Sequence, residues 1–239
     1  MSYLVLEDYL TRHPDLPSEE GMIICSGCSF TRGGMSEKLA DTLLGRPYSG
    51  YPDLLAELLP QHTVWNAGFC GAGDQISWLF LSHLMKYKPR AVIHQIACPA
   101  RGIVTEKEEQ LFKDLTSFND LQQIYGNAQT LTVEIFWRYW NNITDHSDET
   151  IREHVDVLDA IDALPCPVIF LLNNNGYPYH HQFDEIYAVV KDRVQDTCVT
   201  KFDASEGSMF YIRDDKHPNI LRHMKTASIL AGRIKSLLA

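Results

Sequence analysis

The sequence predicts a three-layer α/β sandwich built on a mainly parallel sheet. Three observations carry that expectation. Short apolar runs lack the polar alternation of a half-exposed strand, as strands covered on both faces do. Amphipathic helical stripes separate the runs, and such alternation belongs to α/β architecture. Polar, glycine-bearing segments follow two of the runs directly, where the carboxyl ends of parallel strands present ligand-binding residues.

The strand candidates are residues 22–25, 63–65, 91–93, 168–172 and 198–199. Between them, Pro52 opens a helix with Leu54, Leu55, Leu58 and Leu59 on one face, proline being tolerated in a first turn. Asp74 caps a second helix, with Ile76, Leu79, Phe80, His83 and Tyr87 at steps of three and four. Ile151, Val155, Leu158 and Ile161 form another stripe, as do Phe183, Ile186, Val190 and Val194. The last helix begins after Pro218 and turns Leu221, Met224, Ala227, Ala231, Ile234 and Leu238 inward. These stripes are expected to be core and carry no chemistry. Residues 103–150 are the least regular part and contain Phe136-Trp137-Arg138-Tyr139-Trp140. They are expected to form an insertion or lid on one domain spanning residues 1–239. Packing of that aromatic cluster onto the body is favoured over a substrate groove.

The chain has 239 residues, 45% hydrophobic and 22% charged, enough for one substantial core. No Pro/Gly/Ser-rich linker divides it. The net charge of −10 and the absence of a dense Lys/Arg run argue against a nucleic-acid or anionic-membrane surface. A neutral or small-molecule substrate is the expected partner. The N-terminus is acidic without a long apolar core, so no secretory signal is expected. No stretch approaches the roughly 18 apolar residues of a membrane span. A cytoplasmic location is expected, and there the six cysteines act as small buried hydrophobes rather than a disulfide framework. Asn142-Ile143-Thr144 is then an incidental match to the glycosylation pattern.

Three segments carry candidate chemistry. Ser29 follows the first buried run within Gly27-Cys28-Ser29-Phe30. A serine at a strand's carboxyl end presents its hydroxyl to the cleft, and a following helix offers backbone N–H groups to an oxyanion. The second segment is Asn66-Ala67-Gly68-Phe69-Cys70-Gly71-Ala72-Gly73-Asp74, whose glycines let backbone approach a ligand. It is not a dinucleotide fingerprint, because Ile76 stands where the third glycine belongs. The third is Asp214-Asp215-Lys216-His217-Pro218-Asn219. An acid three residues before a histidine can fix its tautomer while the other ring nitrogen accepts a serine proton.

Taken together, the three segments resemble the SGNH, or GDSL-type, hydrolase family. Gly27-Cys28-Ser29-Phe30 is similar to that family's first block, with Cys28 where aspartate is usual. Asn66-x-Gly68-x-x-Gly71 is similar to the second block, and Asp214-x-x-His217-Pro218 to the fifth. The resemblance spans roughly residues 22–235. It implies a flavodoxin-like fold with a mainly parallel five-stranded sheet, and cleavage of esters, thioesters or O-acetyl groups without metal or organic cofactor. It makes Ser29 the nucleophile, His217 the general base, Asp214 its orienting acid and Gly71 an oxyanion donor. The third block departs from the pattern. The family places an asparagine oxyanion donor there, whereas this strand runs His94-Gln95-Ile96-Ala97-Cys98-Pro99-Ala100-Arg101. Losing such a donor costs roughly 3–4 kcal/mol in the transition state. Arg101 is a candidate replacement or a substrate-binding cation, and Asn173, Asn174 and Asn175 follow the next strand.

Several alternatives use the same residues. An acyltransferase would resolve an acyl-Ser29 with a sugar or peptide hydroxyl instead of water. Cys28 is a rival nucleophile, but neighbouring strand-end residues point to opposite sides, so only one of Cys28 and Ser29 can face His217. Cys25-x-x-Cys28 with Cys70 and Cys98 has metal-ligand spacing, yet Cys25 is expected to turn into the layer, so no metal is expected. A non-catalytic binding protein on this fold would account for the altered third block.

Overall fold

The computed structural model describes residues 3–5, 21–33, 44, 50–68, 73–97, 147–172, 194–195 and 218–239. Six described strands form one parallel sheet: β1 (Tyr3–Val5), β2 (Ile23–Gly27), β3 (Val64–Gly68), β4 (Ala91–Ile96), β5 (Val168–Leu172) and β6 (Val194–Gln195). Their spatial order is β1-β3-β2-β4-β5-β6. Every residue of β2, β3 and β4 is buried, which is why each strand opens on a run of apolar residues without polar alternation.

Five α-helices among the described residues accompany the sheet: α1 (Ser29–Arg32), α2 (Gly50–Leu58), α3 (Asp74–Leu84), α4 (Ser147–Asp162) and α5 (Ile220–Leu238). α2 and α5 pack together, and α3 packs with α4. Side chains of successive strand residues point to opposite faces, so each central strand serves two layers. Ile23 and Cys25, Ala91 and Ile93, and Ile169 and Leu171 meet Leu55, Ala227, Leu230 and Ile234 of the α2/α5 layer. The intervening Ile24, Ser26, Val92, His94 and Phe170 turn to the opposite face. No helix among the described residues is long and apolar enough to cross a membrane.

The chain leaves β2 for β3 on one side, then crosses back to β4 on the other. Without the edge strand β1, the order is the 2-1-3-4-5 of a flavodoxin-like sheet. The switch point lies between the carboxyl ends of β2 and β4, where this architecture binds ligands.

The structure adjusts the expected elements at five places. A sixth strand, β1, pairs Leu4 with Trp65 outside β3, and it is too short to leave a periodic signal. β6 falls at Val194–Gln195, at the end of the stripe read as helical, because it pairs with Phe170 and Leu171. Residues 198–199 lie outside the described residues. In α2, Leu58 is 43% exposed, and in α5 Met224 is 45% exposed. The inward face of α5 instead carries Ile220, His223, Thr226, Ala227 and Leu230, so its polar end misled the apolar phasing. Of the expected insertion at 103–150, residues 103–146 lie outside the described residues, and 147–150 form the start of α4.

α5 begins as expected after Pro218, with the Asn219 side chain accepting a hydrogen bond from the Arg222 N–H at 3.2 Å. Such a cap is worth about 1 kcal/mol. Asn219→Ala should lower stability by about that amount in urea unfolding, whereas Met224→Lys should change it by less than about 0.5 kcal/mol.

Candidate active site

The carboxyl end of β2 is built around atomic closeness. Gly27 has φ +142°, and a Cβ there would lie 2.6 Å from Thr31 Oγ1 and 2.7 Å from Gln95 Cβ. Cys28 is extended and caps α1, its carbonyl accepting the N–H groups of Thr31 and Arg32, both at 3.0 Å. Ser29 is the first residue of α1 and is partly exposed, while Cys28, Phe30 and Thr31 on either side are buried. The turn therefore leaves Ser29 partly exposed and buries its neighbours.

Two flanking strands grip this turn. From β4, Gln95 accepts the Thr31 hydroxyl at 2.6 Å, and its amide donates to Cys28 Sγ at 3.5 Å. From β3, the Asn66 amide donates to the carbonyls of Thr31 at 3.3 Å and Arg32 at 3.0 Å. The Asn66 side-chain oxygen accepts the Gly68 N–H at 3.1 Å. A Cβ on Gly68 would lie 2.5 Å from the Arg32 nitrogen, so only glycine permits this approach. Below the turn, a small cavity is lined by Phe30, Tyr51, Gln95, Pro218, Arg222 and His223, among others. Tyr51 and His223 stack across it with ring centroids 6.5 Å apart.

On the opposite face lies a buried ionic cluster. Asp74 Oδ1 is 2.9 Å from His94 Nε2 and accepts the Ala97 N–H at 2.8 Å. Asp74 Oδ2 makes a 2.6 Å ion-pair contact with His154 Nε2. Burial alone would raise the Asp74 pKa, but the charge and contacts of His154, and then of His94, outweigh it. Its carboxyl is held well below the ordinary 3.8. A carboxylate only accepts, so His94 donates to it through Nε2. His94 Nδ1 is buried with no hydrogen-bond partner among the described residues. His94 also meets the Phe170 ring edge-on, centroids 6.0 Å apart.

Of the residues singled out in the sequence, Ser29 stands where it was expected. Asp214, His217, Gly71 and Arg101 lie outside the described residues, as do Asn173, Asn174, Asn175, Cys70 and Cys98. Cys25 is fully buried in the α2/α5 layer, where loss of water pushes its thiol pKa well up, and a hydrogen bond with Tyr51 offsets only part of this. Cys28 is 2% exposed and faces Gln95 rather than the cleft. Asp74 is not the expected cap. Gly73 occupies that position, and Asp74 is the first helical residue, its carboxylate drawn sideways to the histidines. The cluster had one legible trace: His94 interrupts a strand and His154 a helical stripe, each a polar residue on an apolar face.

No protein-family model matches the sequence, and no curated protein matches it. Solved structures do. A member of the lipolytic protein G-D-S-L family from Veillonella parvula superposes with a TM-score of 0.54 at 13% identity, covering 90% of this chain and 99% of that one. A Bacteroides fragilis protein described as a candidate acylhydrolase gives 0.55 at 12% identity, covering 98% and 97%. An acetylxylan esterase from Geobacillus stearothermophilus, solved as a catalytic mutant with serine replaced by alanine, gives 0.51 at 16% identity, covering 92% and 95%. A second catalytic mutant of that esterase, with aspartate replaced by alanine, matches equally. These likenesses establish the fold: it is the α/β fold of SGNH-type esterases, as the sequence led one to expect.

Gly27→Ala combines an unfavourable φ with overlap against Thr31 and Gln95, and should cost about 2–4 kcal/mol by denaturant unfolding. Asp74 contributes stability that is complete above its ordinary pKa of 3.8 and is lost as pH falls through that value toward its depressed folded one. In melts taken from about pH 5 downward, the advantage of the wild type over Asp74→Asn should therefore shrink on acidification.

Proposed function

We propose that this chain is a serine esterase that cleaves a small ester, an O-acetyl group on a carbohydrate being the preferred class, through an acyl-Ser29 intermediate. The carrying observation is the placement of Ser29. It opens α1 directly at the carboxyl end of β2, at the switch point of the sheet, and is more exposed than the buried residues beside it. A second observation supports His217 as its base. Pro218, bonded to His217, and Phe30, bonded to Ser29, line the same small cavity. The catalytic mutants of the acetylxylan esterase with this fold alter a serine and an aspartate, in keeping with the roles proposed for Ser29 and Asp214.

In the proposed reaction, Ser29 Oγ attacks the ester carbonyl carbon while His217 takes the hydroxyl proton. Asp214 orients the ring and stabilises the imidazolium. The Gly71 N–H donates to the carbonyl oxygen as it becomes an oxyanion. Collapse breaks the bond to the alcohol, which leaves with the proton from His217. Water, deprotonated by His217, then attacks the acyl-serine; the bond to Ser29 Oγ breaks, the acid leaves, and His217 returns the proton to Oγ. Arg101 is assigned to binding a polar or anionic group of the substrate. These steps require no metal or organic cofactor.

Hydrolysis of p-nitrophenyl acetate and of acetylated xylo-oligosaccharides tests this reading, with quenched samples weighed for acyl-enzyme by intact mass. Ser29→Ala should lower kcat/KM by about 10³-fold or more and abolish the acyl adduct. Equal activity in the variant and the wild type would refute the assignment.

A further inference from the structure

The geometry points to Asp74 as a positioning residue for the esterase site, an inference that rests on the reading above. β2, which delivers Ser29, lies between β3 and β4. Asp74 opens α3 and so closes the connection leaving β3, the one that contains Gly71. Its carboxylate takes the N–H of Ala97, the residue directly after β4. One side chain thus ties the backbone on one side of β2 to the backbone on the other.

Those two backbones are the segments in which oxyanion donors of this architecture would lie. A donor has to sit about 2.7–3.1 Å from the developing charge, and a displacement near 1 Å can cost about 10²-fold in rate. A neutral side chain at position 74 would make at best a loose tie. The ionised one is held by His94 from β4 and by His154 from α4, at 2.9 and 2.6 Å. With the side chains of all three residues 8% exposed or less, water does not compete for these contacts. None of the three side chains lines the cavity beneath the turn, so the effect of the cluster on turnover would pass through the backbone it anchors.

A purely structural ion pair would change how many molecules fold, not how fast each one turns over. The test therefore counts competent sites. Wild type, Asp74→Asn and His154→Gln are labelled to completion with a fluorophosphonate, the Ser29 adduct is quantified by mass, and kcat per labelled site and KM are measured with p-nitrophenyl acetate. Both variants should keep KM within about twofold while kcat per competent site falls about tenfold or more, Asp74→Asn further than His154→Gln. An unchanged kcat per site in both variants, beside an active wild type, would reduce the cluster to a structural role and overturn the inference. If Asp74→Asn does not fold, His154→Gln, on the outer edge of the cluster, decides alone. A wild type that neither labels nor turns over would instead overturn the esterase reading, and this inference with it.

Discussion

Everything at the carboxyl end of the sheet depends on how closely α1 approaches the strands beside β2. Thr31 is the pivot. Its hydroxyl is held by Gln95 of β4, and its carbonyl by Asn66 of β3. Contacts from both sides on one residue leave no volume for a side chain at Gly27 or Gly68. Close-packed interiors transmit such constraints instead of absorbing them. The first residue of α1, Ser29, inherits a fixed place from its buried neighbours although it is itself partly exposed.

The same gap is bridged a second time on the other face, by different physics. Around Thr31 the ties are neutral hydroxyl and amide hydrogen bonds, each worth roughly 1 kcal/mol net. Around Asp74 they are ionic and wholly dry. A buried carboxylate without partners would be prohibitively costly, so once Asp74 is enclosed its surroundings must supply donors and positive charge. The donors come from β4 and from the residue after β4, and the ion-pair partner at Oδ2 from α4. The charge thereby dictates how three elements meet, which apolar packing alone leaves less sharply defined. β3 and β4 are locked across β2 by a neutral tie below and an ionic tie above.

The sheet was legible in the sequence because its central strands are buried on both faces. A continuous apolar run as short as Ile23-Ile24-Cys25, bounded by glycine, fits few elements but a covered strand. The edges were illegible for the converse reason: β1 and β6 are so short that pairing, not pattern, defines them. In α5 the inward face changes character along its length, apolar at Leu230 and Ile234 but polar at Arg222, His223 and Thr226. A phase fitted to hydrophobicity alone therefore turned Met224 inward. The position of Ser29 directly after a strand was legible from the apolar run that precedes it. Asp74, His94 and His154 were not, because their partnership spans segments with no local signal, and polar residues within apolar stripes give no hint of what they meet.

The altered third block gains meaning from these contacts. Two side-chain amides near the turn, those of Gln95 and Asn66, would be natural substitutes for the missing asparagine donor. Both are committed elsewhere. Gln95 Nε2 reaches Cys28 Sγ on the α2/α5 side, and Asn66 Nδ2 is shared between two carbonyls of α1. Recruiting either would dismantle the turn that presents Ser29. If Ser29 is the nucleophile as proposed, a loss of roughly 3–4 kcal/mol of transition-state stabilisation is not recovered by a donor already spent on holding its turn in place. In the proposed esterase, Arg101 and Asn173 to Asn175 remain the side-chain candidates, and the Gly71 N–H proposed as a donor depends for its worth on where the backbone is fixed. A rigid ionic tie at the mouth of α3 is then what a site short of one side-chain donor needs most, since accuracy of placement is the remaining lever on its rate.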